Sequence, residues 1–231
     1  MSAAEASKLA VSPAWAAAYP GARVGVLRMT GARNPEGDPD LNRLLDETAA
    51  SLRARHAGAT RPDLLARPEL AAYATHYRRF DKTYHVLLQL ESVALKDKPL
   101  RSRGVLVAAM FRAELETGLL TAGHDGDRLA GGLTADVVVA GDGYTGIGGR
   151  EIQAAPGDMC IRDGGGIVSS VVYGPDDRTR LSDGSQTAVF TTYAPAGIGP
   201  DLLTRHMELI AEGVEVAAPG SAVESMEIVP G

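Results

Sequence analysis

The sequence predicts one α/β domain of the α+β type, in which N-terminal helices pack on a β-rich, barrel-like C-terminal half. Its apolar residues recur with the period of a helix before Leu119 and with the period of a strand after it. Short segments rich in β-branched residues and separated by clusters of Gly, Pro and Asp then dominate the chain. Helices and strands segregated in this way are typical of α+β domains.

One strand and four helices are predicted in the N-terminal half. The strand covers residues 22–29, between Pro20-Gly21 and Gly31. The first helix starts after Asp38, which can cap it, and its leucines follow helical spacing until His56. The next two helices are predicted over residues 70–79 and 83–95. Ser102 is the predicted cap of the fourth helix, which continues through residue 115.

Short strands and a final helix are predicted in the C-terminal half. Residues 133–140 contain a continuous apolar run, which predicts a strand covered on both faces. Further strands are predicted over residues 159–162, 167–173 and 189–193. Gly199-Pro200-Asp201 then starts an amphipathic helix. Residues 1–220 are predicted to be one domain, followed by a tail, 221–231, without regular structure.

Composition limits the classes of function. The chain of 231 residues can bury a sizeable core, and its apolar runs are much shorter than a membrane span. The single cysteine, Cys160, excludes an internal disulfide and a cysteine-based zinc site, and is predicted to be a buried apolar side chain. We therefore expect a cytoplasmic protein without a membrane segment.

The five histidines have no metal-ligand spacing, so no metal or other cofactor is expected. Four of them are predicted at the surface or at helix ends: His56, His76, His85 and His206.

A glycine motif follows the predicted strand 133–140. Gly141-Asp142-Gly143-Tyr144-Thr145-Gly146 matches G-x-G-x-x-G, which in dinucleotide-binding domains leads directly into a helix. The next residues, 150–155, instead have the pattern of an extended segment and end at Pro156-Gly157. The motif is therefore predicted to be a glycine-rich turn.

Several short segments occur in an order that resembles a known domain. They are Tyr77-Arg78-Arg79-Phe80, the helix 104–116, His124-Asp125, residues 127–131, Glu151 with Pro156-Gly157-Asp158, Asp163 and residues 187–194. Together they resemble the B3/B4 domain of the phenylalanyl-tRNA synthetase β-subunit, in its free-standing form. The resemblance implies the fold of that domain, tRNA or aminoacyl-tRNA as a weakly bound partner, and hydrolysis of mischarged aminoacyl-tRNA in trans, which is called editing.

The same resemblance implies a set of site residues. The catalytic candidates are His124, Asp125, Thr191 and Thr192. The substrate-binding candidates are Tyr173, Gly174, Asp176 and Asp177. The RNA-binding candidates are Arg78, Lys98, Arg101 and Arg103. An aminoacyl ester is already activated, so its hydrolysis requires a positioned water and hydrogen-bond donors rather than a strong nucleophile.

Two departures from the family leave a second interpretation open. Ala122 stands where the family has a histidine, and Thr192 replaces a glutamate. A non-catalytic module with the same fold would bind tRNA, an amino acid or a protein partner. The net charge of −6 and the pI near 5.4 predict weak RNA binding that depends on local basic residues. The basic segment 96–103 is open to a second interpretation as a solvated loop.

Overall fold

The structure is a computed structural model and describes residues 9–102 and 104–231. The helices are α1 (Pro13–Ala18), α2 (Pro39–Arg55), α3 (Arg61–Leu65), α4 (Pro68–Arg78), α5 (His85–Leu90), α6 (Val105–Thr117) and α7 (Pro200–Ala217). A π-helical turn, Glu91–Leu95, continues α5. The Asp38 carboxylate accepts the Leu41 N–H at 2.8 Å, which confirms the predicted start of α2. Among the described helices, none has an apolar stretch long enough to cross a bilayer.

The fourth predicted helix, α6, begins two residues later than expected. Gly104, and not Ser102, is the N-cap residue, and it offers no side chain to the helix. Asn34 supplies the missing acceptor, because its Oδ1 accepts the Leu106 N–H at 3.0 Å. A Cβ atom at Gly104 would lie only 2.7 Å from that oxygen. A residue 72 positions away in the chain therefore caps α6, and local sequence could not have indicated it.

Two open sheets and a hairpin contain the strands. The strands are β1 (Leu9–Val11), β2 (Arg23–Thr30), β3 (Leu120–Asp125), β4 (Leu133–Val137), β5 (Gly143–Gly146), β6 (Arg150–Gln153), β7 (Met159–Asp163), β8 (Gly166–Ser170), β9 (Gly174–Pro175), β10 (Ala188–Ala194) and β11 (Ala222–Pro230). The sheet orders are β1-β4-β7-β8-β9, β11-β2-β10-β3 and β5-β6. The α+β class is confirmed. In the described part of the chain, the C-terminal half consists of open sheets and not of a closed barrel.

Strand β10 lies inside the four-stranded sheet and is buried on both faces. Thr192 faces α7, since a Cβ at its cross-strand partner Gly25 would contact Leu203 and Met207 of that helix. Tyr193 faces the other way, and its hydroxyl lies 2.7 Å from Ser169 Oγ in β8. The sheet is thus covered by helices on one face and by the five-stranded sheet on the other.

The predicted tail is a strand. Residues Ala222–Pro230 pair antiparallel with β2, with Met226 opposite Leu27 and Ile228 opposite Gly25. The prediction of an irregular segment was wrong because a register shift between Val223 and Ser225 interrupts the two-residue alternation in the sequence. The segment belongs to the sheet as its edge strand.

The predicted strand 133–140 is shorter than expected. It ends at Val137, and the side chain of Val139 is 58% exposed. The Asp142 carboxylate accepts the Val139 N–H at 2.7 Å, which turns the chain away from the sheet. Residues Gly143–Gly146 of the glycine motif that follows are strand β5, which pairs with β6 in a hairpin, so the prediction of a glycine-rich turn was wrong for these four residues. No helix follows them, as the sequence predicts.

Candidate functional site

A pocket of about 240 Å³ opens beside the edge strand β3, where α6 faces the connection between β8 and β9. Its walls are mainly apolar. Residues that line it include Val107, Met110, Phe111, Glu114, Leu120, Thr121, Ala122, Gly123, Ser170, Val171, Gly174, Pro175 and Tyr193. An apolar cavity of about 150 Å³ can bind benzene. This pocket therefore has room for a small molecule with an apolar body.

Helix α6 places one polar side chain on the apolar wall. Val107, Met110, Phe111 and Glu114 follow one another at i, i+3, i+4 and i+7, so they share one face of the helix. Glu114 is the last of them and lies next to β3, within hydrogen-bonding distance of Thr121. The regular apolar spacing of the helix therefore brings a carboxyl group into the pocket wall.

The Glu114 carboxyl is buried and only half satisfied. Its side chain is 1% exposed, and Oε1 accepts the Thr121 N–H at 2.9 Å. Its Oε2 atom is buried and has no hydrogen-bond partner among the described residues. Burial raises the pKa of Glu114 to about 8, against the opposing effect of the Thr121 hydrogen bond. A buried polar atom without a partner costs about 1–3 kcal/mol, so the site favours a ligand that supplies one.

Tyrosine hydroxyls from α4 fix the backbone around the pocket. The Tyr77 hydroxyl donates to the Val171 carbonyl at 2.5 Å. The Tyr73 hydroxyl donates to the Tyr193 carbonyl and accepts the Leu120 N–H, the latter at 3.0 Å. Tyr73 thereby bridges β10 and β3 at the point where their direct ladder ends. Both tyrosines are buried, so these walls are rigid parts of the core.

The wall opposite α6 is a tight turn that contains the predicted residue Gly174. Its φ of +83° is in the left-handed region that favours glycine. The Tyr144 hydroxyl donates to the Gly174 carbonyl at 2.6 Å and lies 3.2 Å from Ser170 Oγ. Tyr173 is not in the lining, because its side chain packs on a separate apolar cluster around Cys160. Of the two adjacent predicted residues, only Gly174 is part of the wall.

Thr191 and Thr192 lie directly behind the pocket lining. Both are fully buried, and they point to opposite faces of the sheet. Thr192 Oγ1 lies 3.0 Å from Thr121 Oγ1, and Thr191 Oγ1 donates to the Ala122 carbonyl at 3.5 Å. The partners, Thr121 and Ala122, are lining residues. The two predicted hydroxyls are therefore used in internal bonds one residue away from the pocket.

The predicted residues His124 and Asp176 are joined through Thr179. His124 Nδ1 lies 2.8 Å from Thr179 Oγ1, and Thr179 donates from both its hydroxyl and its N–H to Asp176 Oδ1. Burial lowers the pKa of His124 to about 4, so the ring is neutral at pH 7. Its Nε2 atom is buried without a described partner. Neither His124 nor Asp176 belongs to the pocket lining.

Asp125 and Asp177 are held in separate polar contacts. Asp125 accepts the Ser185 hydroxyl at 2.7 Å and, in a local turn, the Asp127 N–H at 3.1 Å. Asp177 forms an ion pair with Arg180 at 2.6 Å and accepts the Gly148 N–H at 3.3 Å. The structure thus groups Asp177 with the β5–β6 hairpin and Asp125 with the loop before β10.

A second groove, of about 330 Å³, adjoins the pocket, and His85 and Phe111 line both. Two predicted RNA-binding residues, Lys98 and Arg101, line this groove. Arg101 pairs with Asp46 at 2.8 Å.

The other predicted RNA-binding residues are not found in this groove. Arg78 lies apart from it, beside Arg61 and Lys82. Arg103 lies outside the described residues.

Two histidines that were predicted at the surface or at helix ends are core residues. His206 is fully buried, and its Nδ1 and Nε2 lie 2.7 Å from Thr117 Oγ1 and 2.5 Å from Thr121 Oγ1. Burial lowers its pKa to about 3. His76 is buried against Asp158 at 2.8 Å. The prediction for His206 was wrong, because its partner Thr121 lies 85 positions away in the chain. His76 lies in the last turn of α4, as predicted, but its partner Asp158 keeps it buried.

The prediction for Cys160 is confirmed. Its side chain is fully buried in β7, and burial raises the pKa of the thiol to about 12. Over residues 9–102 and 104–231, no three His, Cys, Asp or Glu side chains are grouped closely enough to hold a metal ion.

The pocket residues Glu114 and Ser170 were not identified from the sequence. For Glu114 a signal existed, because an acidic residue follows Val107, Met110 and Phe111 at the spacing of a buried face. For Ser170 there was none, since serine at the end of a strand is common. The acid on an apolar helical stripe is therefore the pattern that could have located the pocket.

Comparison with known proteins identifies no family. No protein-family model matches the sequence, and no curated protein does. Among solved structures, a similar one is the crystal structure of an N-terminal fragment of the phenylalanyl-tRNA synthetase β-subunit from Pyrococcus horikoshii, with a TM-score of 0.47 and 7% identity. The match covers 97% of this chain and 55% of that fragment, so the chain spans about half of its length.

Proposed function

We propose that this protein binds the aminoacyl end of a tRNA. The pocket beside Glu114 would receive the amino acid, and the adjoining groove would receive the RNA backbone. One observation carries the proposal: pocket and groove meet at His85 and Phe111, and the groove presents Lys98 and Arg101. A small apolar group attached to a polyanion has the two properties that this pair of surfaces selects.

The choice of tRNA among polyanions is supported by the sequence resemblance to the B3/B4 domain. The same resemblance supports hydrolysis of the aminoacyl ester as the reaction, that is, editing of mischarged tRNA. Ser170 is a hydroxyl residue of the pocket wall and would position the attacking water or stabilise the developing oxyanion. No protein nucleophile is required, because the ester is activated.

A non-catalytic binding module is the second candidate. It is favoured by the internal bonds of Thr191 and Thr192, since both hydroxyls have partners on β3 and lie behind the lining. If this module binds tRNA, the two candidates share the ligand and differ only in whether an amino acid is released.

Charge reversal in the groove tests the RNA contact. Lys98→Glu combined with Arg101→Glu should weaken tRNA binding and reduce the slope of log affinity against log salt by about 2, because two phosphate contacts are lost. Arg205→Glu is a matched control, since Arg205 is also exposed and paired with one carboxylate, but lies on α7 outside the groove. Equal binding by the groove variant and the wild type would remove the groove from the proposal.

Release of amino acids from a panel of mischarged tRNAs distinguishes editing from binding. Ser170→Ala should slow deacylation on the order of 10-fold to 1000-fold if its hydroxyl stabilises the transition state. Thr192→Val tests the hydroxyl behind the lining in the same assay. A wild-type protein that binds tRNA without releasing any amino acid would support the non-catalytic module. A wild-type protein that does not bind tRNA would contradict editing and leave only a module that binds an amino acid or a protein partner.

A further inference from the structure

We infer that Glu114 makes the pocket a binding site for small apolar molecules that carry an ammonium group, with the ammonium donating to Glu114 Oε2. This inference deepens the proposed function, because an aminoacyl group carries such an ammonium. It uses the same pocket and requires no RNA. A primary alkylamine is the simplest member of the ligand class.

The geometry provides the acceptor and the apolar surroundings. Oε1 is occupied by the Thr121 N–H, whereas the buried Oε2 has no partner among the residues described. Val107, Met110 and Phe111 lie on the same helix as Glu114 and line the same pocket. A ligand with an apolar body and a hydrogen-bond donor would fill the apolar cavity and give Oε2 the hydrogen-bond partner that it lacks.

The groups that face Glu114 from neighbouring elements carry no charge at neutral pH. Tyr73 and Tyr77 on α4 and Tyr84 before α5 all have pKa values that burial raises above the ordinary value. His85, at the pocket mouth, has its pKa lowered by burial, and His206 behind Thr121 has a pKa of about 3. The described basic side chains form no ion pair with Glu114, so the positive charge must come from the ligand.

Proton exchange accompanies the binding of an ammonium. In the empty pocket the carboxyl is mainly protonated at pH 7, because its pKa is about 8. An alkylammonium, whose own pKa is near that of lysine at about 10.4, binds to the ionised carboxylate. The proton of the carboxyl group then leaves to solvent, and one ion pair forms. Affinity should consequently rise by nearly 10-fold per pH unit between pH 6 and 7.5.

Two pairs of probes of equal shape test the inference. They are 3-methylbutylamine with 3-methylbutan-1-ol, and 2-phenylethylamine with 2-phenylethanol. With the wild-type protein at pH 7.5, we expect one amine to bind at least 10-fold more tightly than its alcohol in calorimetry. Proton release should appear as a binding heat that depends on the ionisation enthalpy of the buffer. The alcohols should show neither the pH dependence nor the release.

Glu114→Gln should reduce the preference for the amine to less than about 3-fold, because the amide keeps an acceptor for Thr121 but no charge. Glu116→Gln makes the same change two residues away on α6, where the side chain pairs with Arg55, and should leave the preference intact. Circular dichroism shows whether Glu114→Gln folds. If the variant does not fold, the inference is tested with the wild type alone, by the pH dependence of amine affinity and by the proton release on binding.

Three results would overturn the inference: alcohols that bind as tightly as amines, no binding of either amine at millimolar concentration, or an amine preference that survives in Glu114→Gln. These results are distinct from failure of the proposed function. A protein that binds amines but no tRNA would retain the ammonium site and lose the RNA proposal.

Discussion

Glu114 lies on the buried face of its helix, where a charged carboxylate would lose its contact with water. Its position on α6 belongs to a stripe that is otherwise apolar, and the fold covers it from β3. A carboxyl in such a place is held mainly in its neutral form, as its pKa of about 8 indicates. Burying this carboxyl group costs folding free energy that an apolar side chain would not cost. Such a local loss of stability is typical of a functional position.

Glu114→Gln should change how stability depends on pH. The pKa of Glu114 is about 8 in the folded protein and ordinarily 4.5, so its stabilising contribution is complete below pH 4.5 and is lost as pH rises towards 8. Glutamine has no such loss. The stability of the variant relative to the wild type should increase by up to about 1.4 kcal/mol per pH unit between pH 5 and 8. Urea unfolding at several pH values measures the difference.

Two buried histidines, His124 and His206, change the stability with pH in the opposite direction, but they do not affect the difference between variant and wild type. The pKa values of His124 and His206 are lowered to about 4 and about 3, so their contributions are present above pH 6.5 and are lost on acidification. They are common to both proteins and cancel in the difference. A difference that stays constant from pH 5 to 8 would mean that Glu114 is ionised in the folded state. Glu116→Gln serves as the control.

At the level of residues, the sequence predicts burial where it depends on the neighbouring residues in the chain. Cys160 was placed in the core because Met159 and Ile161 flank it in a strand. Burial of His206 was not predictable, since its partner Thr121 is 85 positions away. The roles implied for Thr191 and Thr192 stay predictions, although both lie next to lining residues.

At the level of elements, the edge strand β11 shows why the hydrophobic pattern can fail. The register shift between Val223 and Ser225 changes the phase of the alternation within one strand. Read without the shift, the segment has neither a helical nor a strand period. Elements with undisturbed periods were predicted more closely: α2 within one or two residues of its bounds, and α7 at its start. A backbone irregularity accounts for the difference at β11, whereas the cap of α6 depends on a distant residue, Asn34.

Removal of residues 222–231 should destabilise the protein and cause it to self-associate. The deletion leaves the N–H and C=O groups along one side of β2 without partners, and an unpaired edge of this kind pairs with other chains. We expect a lower melting temperature and concentration-dependent oligomers, measured by thermal unfolding and analytical ultracentrifugation. Val223→Ala is the control, because that side chain is largely exposed and its loss should cost less than about 0.5 kcal/mol. A monomeric truncated protein with the wild-type melting temperature would contradict the prediction.

At the level of the whole molecule, the sequence predicts the class of fold but not the arrangement of its sheets. The change of period near Leu119 was sufficient for the α+β class. The pairing of β1 with β4 could not be predicted, since Leu9 lies opposite Leu133 and no local signal links them. The pocket likewise depends on contacts between distant parts of the chain, because its walls come from α6 and from the turn after β8. The location of the site therefore follows from the topology and not from a motif.

The position of β2 between β10 and β11 has a consequence for the newly made chain. About 160 residues separate the end of β2 from the start of β10, which a ribosome adds on the order of 10 s later. Throughout that interval neither partner strand of β2 has been synthesised, so both edges of this apolar strand are unpaired. The chain segment between β2 and β10 is among the longest that separates two paired strands in this protein, and such long-range pairing is slow. We expect slow refolding after dilution from urea, with β2 amides protected from hydrogen exchange only when those of β10 are. Early protection of β2 alone would contradict this order of events.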